Sequence, residues 1–228
     1  MKVLLLTFKG FLLLLVPVFL IIIASDIVIK TRFIYEYDFW RYEISEKTSI
    51  ELTNLRKIGR EIRTYFQNHD QYLAVETTVN NQIRFLFNQR EIQHMKDVKN
   101  LISLIDTIGL IIGCIFIIFS LILVFYDHNW KETLLRLIFL SGLLSGLLVI
   151  LISITFLVFF DYFFVLFHEI SFSNDLWILN PKTDYLIMLF PENFFRDATY
   201  AIGLLSIIEF LFIYFIVRYF FGFKLDKS

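Results

Sequence analysis

The chain of 228 residues has one cysteine, three prolines and eight glycines, and its charges nearly cancel. The lone thiol, Cys114, sits inside an apolar run. That excludes a disulfide framework and a cysteine-built metal site. The tetrad Ile111-Ile112-Gly113-Cys114 has the form of a bacterial lipidation box, but it lies deep in the chain and not behind a signal peptide, so it reads as coincidence. With 21 Lys and Arg against 22 Asp and Glu, mixed in sign, the net charge is −1, and nothing points to nucleic acid. No Gly-x-Ser-x-Gly elbow is present to support serine-nucleophile chemistry. Nucleotide and acyl-donor motifs, internal repeats and low-complexity linkers are missing as well.

What the sequence has instead is apolar length. It is 57% hydrophobic and 18% aromatic, against about 45–50% apolar for an average soluble domain. The surplus lies in runs of about 20 residues, enough to cross a hydrocarbon core of about 30 Å as helix. The pattern predicts an α-helical integral membrane protein with four transmembrane helices and a small α/β extracytoplasmic domain between the first and second. The first transmembrane helix falls in 1–29, and the extracytoplasmic domain, 30–100, runs into the second at 101–125. A cytoplasmic loop, 126–133, leads to the third helix, 134–160, and an extracytoplasmic interfacial loop, 161–199, to the fourth, 200–221, before a cytoplasmic tail, 222–228. The apolar core 11–25, with flanks reaching Val3 and Ile29, reads as an uncleaved anchor, since a signal peptide has only about 7–15 such residues. Lys2, Lys9, Lys131, Arg136, Arg218, Lys224 and Lys227 flank the sides that must be shared, which places both termini in the cytoplasm.

Within 30–100, alternating Phe33, Tyr35, Tyr37 and Phe39 predict a half-buried strand. From Thr48 the period changes, and Leu52, Leu55, Ile58, Ile62 and Tyr65 predict one face of an amphipathic helix, with Thr48 and Glu51 as its capping box. Residues 72–77 and 83–87 predict two short strands around the turn Val79-Asn80-Asn81-Gln82. Asn88 is the expected N-cap of the next helix, with Glu91 three positions on. Ser141, Gly142, Ser145 and Gly146 predict close helix packing. In 171–199, Trp177, Leu186, Ile187, Leu189 and Phe190 predict a segment dipping toward lipid, broken by Pro181 and Pro191, with Pro191 at the start of the last helix. Glu209 lies inside the fourth span, where structural and functional readings stand equal.

The residues suited to chemistry are two histidines, each just outside an apolar span: His94 and His168. Imidazole takes and gives protons near neutrality. An antiparallel pair of spans brings these two to one side of the membrane. Glu91 and Asp97 lie three residues either side of His94, on one helix face, where a carboxylate orients an imidazole. A competing reading is metal: Glu91 and His94 have the Glu-x-x-His spacing of di-metal bundle sites, but only His168-Glu169 approximates the second half. His69 and His128 read as solvated.

Phe87-Asn88 through Glu91, His94-Met95 and Asp97-Val98 resemble a motif of a bacterial four-span membrane family that includes Lit, the lipoprotein intramolecular transacylase of some Gram-positive bacteria. So do Phe167-His168 through Trp177, Pro181, Thr183-Asp184, Leu186-Ile187, Phe190-Pro191 and Phe194-Phe195. The resemblance implies movement of the sn-2 acyl chain of a diacylglyceryl lipoprotein to its N-terminal α-amino group, giving an N-acyl lyso-form. It implies His168 and His94 as the catalytic pair, one as base and the other as oxyanion donor or proton shuttle. Asn174, Trp177 and Asp184 are then supporting residues beside Glu91 and Asp97. Diacylglyceryl lipoproteins and membrane lipid are the expected partners, and no cofactor or metal is expected. The alternatives are a non-catalytic membrane protein binding lipoproteins or lipid, and a metal-dependent membrane hydrolase.

Overall fold

The computed structural model describes residues 2–80 and 82–221. The expected tail 222–228 with Lys224 and Lys227, the side chains of Lys2 and Lys9, and Asn81 of the turn lie outside the described residues. Among the described residues three helices are long and apolar enough to cross a membrane. They are α5 (Gln89–Tyr126), the part Trp130–Phe156 of α6 (Trp130–Ser171), and the part Glu192–Ile216 of α8 (Glu192–Phe221). A fourth candidate is bent: α1 (Lys2–Lys30) and α2 (Phe33–Arg41) meet at 61° across a two-residue break. The protein itself buries only 6% of the apolar window of α8. That surface needs an apolar solvent, and a bilayer supplies it.

Helix α5 is longer than a membrane crossing requires. Its 38 residues extend about 57 Å at 1.5 Å each, nearly twice a hydrocarbon core. Only the run from 101 onward is apolar. The first three turns carry Arg90, Glu91, Lys96, Asp97 and Lys99 and stand outside it. α6 is likewise too long for lipid alone, and its backbone leaves helical geometry at Phe159, with φ −122° and ψ 30°.

The chain divides into two units. The first holds residues 2–25, 105–157 and 202–221 of the described chain. Small residues set its helix contacts, as the 141–146 pattern predicts. A Cβ on Gly142 lies 2.6 Å from Cε2 of Phe210, and one on Gly146 lies 3.0 Å from Cε1 of the same ring. Glycine is what lets α6 and α8 approach there. A Cβ on Gly109 lies 2.9 Å from Ile22, so α1 and α5 use the same device.

The second unit holds residues 26–104 and 158–201. Its core is built on α4 (Leu52–Gln67), whose Leu55, Ile58, Ile62 and Tyr65 are all at or below 2% exposure. Each large apolar side chain so removed from water contributes about 1.5–3 kcal/mol. Against it pack Tyr35 and Phe39 of α2, Ile44 of α3 (Ile44–Thr48), and Leu73, Val75 and Val79. Leu186 and Leu189 of α7 (Tyr185–Leu189) join them with Phe190 and Phe194. Strands β1 (Glu76–Val79) and β2 (Gln82–Phe85) pair antiparallel, with Glu76 opposite Phe85 and Val79 opposite Gln82. Asn80 turns the hairpin with φ 50°.

Three expectations are corrected here. Residues 33–39 are helical, not a strand. Aromatics occupy both faces of α2, so the alternation marked two surfaces and no strand partner exists for it in the two-stranded sheet. Thr48 does not cap α4: it ends α3, its hydroxyl donates back to Ile44 O at 2.6 Å, and Glu51 makes no side-chain cap. The threonine satisfies its own helix first. Leu186, Leu189 and Phe190 do not dip toward lipid but fill the protein core, at 7%, 0% and 7% exposure. Pro191 precedes α8 as expected, its carbonyl accepting Phe194 N–H at 2.8 Å.

Candidate active site

Asn88 and Glu91 start α5 with a reciprocal cap. Asn88 Oδ1 accepts the Glu91 N–H at 3.1 Å, and Glu91 Oε2 accepts the Asn88 N–H at 2.7 Å. Two orphan donors are satisfied by one pair of side chains. This end of α5 then grips the segment 174–186. Glu91 Oε1 accepts Leu186 N–H at 2.6 Å, Asn88 Nδ2 donates to Asp184 Oδ1 at 3.1 Å, and Asn174 Nδ2 donates to Asp97 Oδ2 at 3.0 Å. The Arg90 guanidinium donates to the carbonyl of Asp175. Asp184 also accepts Asn180 N–H at 2.7 Å and the Thr183 hydroxyl at 3.1 Å. These bonds strap the segment after α6 onto the helix that carries His94.

The strap brings the two histidines together. Their ring centroids are 6.4 Å apart with 32° between planes, and both are 7% exposed. No direct hydrogen bond joins the rings at that separation. Phe172 packs edge-on to His94 at 5.2 Å. His168 lies among four aromatic rings: Phe164 at 4.4 Å, Trp177 at 4.8 Å, Phe167 at 5.3 Å and Phe172 at 5.8 Å.

Burial in that surrounding opposes charge. It pushes the His94 imidazole from 6.5 down to about 4, with His168 adding to the effect and Asp97 opposing it. Burial also lowers His168, against the pull of the Phe164 carbonyl. Both rings are therefore neutral at physiological pH. His168 Nδ1 lies 2.6 Å from Phe164 O. A carbonyl only accepts, so Nδ1 carries the proton and Nε2 keeps its lone pair. His94 Nδ1 is buried without a hydrogen-bond partner.

Two expectations change at this point. Neither Glu91 nor Asp97 orients His94, since their bonds go to the cap, to Leu186 and to Asn174. Glu91 is 1% exposed, and burial raises its carboxyl while the Leu186 and Asn88 amides pull it down. It is a structural carboxyl group. Trp177, expected to face lipid, lies against the His168 ring instead, tilted 31° to it. The Phe164 carbonyl and the Phe172 ring escaped the sequence reading. The first is legible only as the i−4 carbonyl of a helical histidine, and the second, flanked by Ser171 and Ser173, has no signal. Among the described residues no three His, Cys, Asp or Glu side chains converge to hold a metal ion.

A pair of neutral, desolvated imidazoles, one with a fixed tautomer, is suited to moving protons, each ring donating at one nitrogen and accepting at the other. Comparison with known proteins bears on what uses them. The family model of lipoprotein intramolecular transacylase Lit matches residues 10–195. The in meso structure of the membrane integral lipoprotein intramolecular transacylase Lit from Bacillus cereus superposes with TM-score 0.76 at 21% identity, covering 95% of this chain and 97% of that one. Two structures of the same Bacillus cereus protein with a histidine replaced, by arginine and by alanine, superpose with TM-score 0.73 at 20% identity. They cover 95% of this chain and 93% and 94% of theirs. No curated protein sequence matches. Matched over most of its length by that family model, this membrane protein belongs to the Lit family.

Proposed function

We propose that the protein is an intramolecular acyltransferase acting on bacterial lipoproteins. The substrate carries a diacylglyceryl group in thioether linkage on its N-terminal cysteine. The α-amine attacks the carbonyl carbon of the sn-2 ester, a C–N bond forms, and the C–O bond to glycerol breaks. The proton lost by the amine ends on the glyceryl oxygen, so the step is an isomerisation, with no donor or nucleotide consumed. Both reactants sit on one molecule, and orienting them supplies much of the rate.

The observation that carries this reading is the pairing of two buried neutral imidazoles at 6.4 Å, with His168 Nδ1 committed to Phe164 O. Nε2 of His168 then takes the amine proton and returns it to the leaving oxygen. His94, neutral as well, donates its N–H to the tetrahedral oxyanion. Trp177 holds the His168 ring, and Asn174, Asp184, Glu91 and Asp97 hold the segment beneath it. In this reading four spans place the second unit outside the cytoplasmic membrane, with both termini inside and the histidines at the extracytoplasmic headgroup level, where ester and amine meet.

The test is mass spectrometry of a model lipoprotein's N-terminal peptide, read as the ratio of N-acyl lyso-form to diacyl form. General acid–base assistance is worth about 10²–10⁴-fold, so His168→Ala and His94→Ala should each reduce conversion by about that factor at equal protein level. Unchanged conversion by His168→Ala removes the base. Absence of lyso-form with the intact chain favours a lipoprotein-binding role instead.

A further inference from the structure

Helix α2 has two unlike faces. Tyr35, Asp38 and Phe39 turn into the second unit's core, whereas Phe33, Tyr37 and Trp40 stand 74%, 47% and 72% exposed. Positions 33, 37 and 40 are spaced by four and three, so the rings form one stripe along the helix. A cation flanks each end. The Arg32 guanidinium lies 5.9 Å from the Phe33 ring centroid and that of Arg41 lies 5.6 Å from Tyr37. An apolar stripe of this size on a water-facing surface is a liability unless something covers it.

The ends of α2 say what does. Its first residue follows α1 after only Thr31 and Arg32, and the paired charges Asp26 and Lys30 close the apolar run of α1. At the other end Asp197 of α8 accepts Arg41 Nη1 at 3.0 Å and the Tyr42 hydroxyl at 2.7 Å. Asp197 is the last charged residue before the uncharged run 198–208 of α8. Both ends are thus fixed where an apolar helix gives way to charged residues, which is the height of lipid headgroups. Aromatic rings with a polar tip and guanidinium groups that pair with phosphate are the side chains suited to that layer.

We infer that α2 is an interfacial helix whose occupant is the lipid surface of the membrane itself, with Phe33, Tyr37 and Trp40 among the headgroups and Arg32 and Arg41 on lipid phosphates. Nine residues bind lipid weakly by themselves, but α2 is tethered at both ends and needs no recruitment. Its effect is to fix the height of the second unit, and with it the histidines, against the leaflet.

The experiment uses the full chain in vesicles of phosphatidylethanolamine and phosphatidylglycerol. Single cysteines replace Phe33, Tyr37 or Trp40 in a Cys114→Ala background, with Thr53→Cys, exposed on α4, as reference. Each carries a nitroxide, and collision with oxygen is compared with collision with a water-soluble nickel chelate. The oxygen-to-nickel ratio at the three stripe positions should exceed that at Thr53 several-fold. A ratio equal to that at Thr53 places the stripe in water and overturns the inference. Protection from both reagents overturns it in favour of a protein partner or a second copy. Should a labelled variant misfold, quenching of native Trp40 fluorescence by bromine-labelled lipid, in Trp130→Phe/Trp177→Phe protein, decides the matter. Strong quenching is expected, and none overturns the inference.

Discussion

At the scale of single residues, His94 and Glu91 respond oppositely to burial, and each can be tested. Burial lowers the His94 imidazole from 6.5 to about 4. Between those values the unfolded chain holds a proton that the folded chain refuses, so stability rises with pH across the window. The contribution is complete above 6.5 and is lost as pH falls through about 4. A shift of that size is worth up to about 3 kcal/mol. Glu91 has the opposite sign because burial raises it, so the diagnostic is a difference. On acidification from neutral pH, His94→Gln should lose less thermal stability than the unmodified protein; equal losses would dismiss the buried imidazole as the cause. Glu91→Gln leaves one of two amides, Asn88 or Leu186, facing an amide nitrogen. An unsatisfied buried donor costs about 1–3 kcal/mol. Hydrogen exchange at Leu186 should accelerate and conversion should fall, with the pH profile of the remaining activity unmoved. A displaced profile would mean that Glu91 acts on the histidines directly.

At the scale of elements, one aromatic ring of α8 is wedged against two glycines of α6. Phe210 presents one edge to Gly142 and the other to Gly146, so moving away from one drives it onto the other. Gly142→Ala should therefore destabilise the first unit by about 1–3 kcal/mol, the usual cost of overpacking. Phe210→Leu should relieve most of that in the double variant, as thermal unfolding in detergent would show, whereas additive losses would mean that the ring is not the obstacle. Close packing at 141–146 was legible in the sequence because small residues four apart let another helix approach, whereas the partner ring, Phe210, was not. The stripe of α4 and the Asn88–Glu91 cap were legible for the same reason: spacing and residue type both point one way. Elsewhere spacing pointed two ways. Aromatics at 33, 35, 37 and 39 fit a strand or a helix buried on one side and lipid-facing on the other, and local pattern does not separate them. Leu186, Leu189 and Phe190 look alike whether they cover lipid or core, since only tertiary structure reveals the apolar face of α4 waiting for them. The histidine positions were readable, but their surroundings were not, because the strap is made of bonds between residues 77 to 96 positions apart.

At the scale of the whole molecule, ionisable groups are divided between the two units. Glu209 belongs to the first unit and both histidines to the second, and neither Glu209 carboxylate oxygen has a hydrogen-bond partner. Glu209→Gln removes a carboxyl group whose ionisation apolar surroundings oppose. Lipoprotein conversion should be unaltered and thermal stability equal or higher; loss of conversion at normal protein level would bring Glu209 into the chemistry. The strap also has a consequence in time. Glu91 Oε1 takes its proton donor from Leu186, 95 positions later in the chain. At synthesis rates of about 5–20 residues per second, about 5–20 s separate the two residues as they leave the ribosome. Within the first part of that interval α5 is finished, the Glu91 carboxyl is still hydrated, and the face of α4 that α7 will cover is bare. The newborn protein thus passes through a stage in which α1, α5 and α6 are made and the strap is not, and the segment bearing Leu186 reaches the second unit's core just before α8.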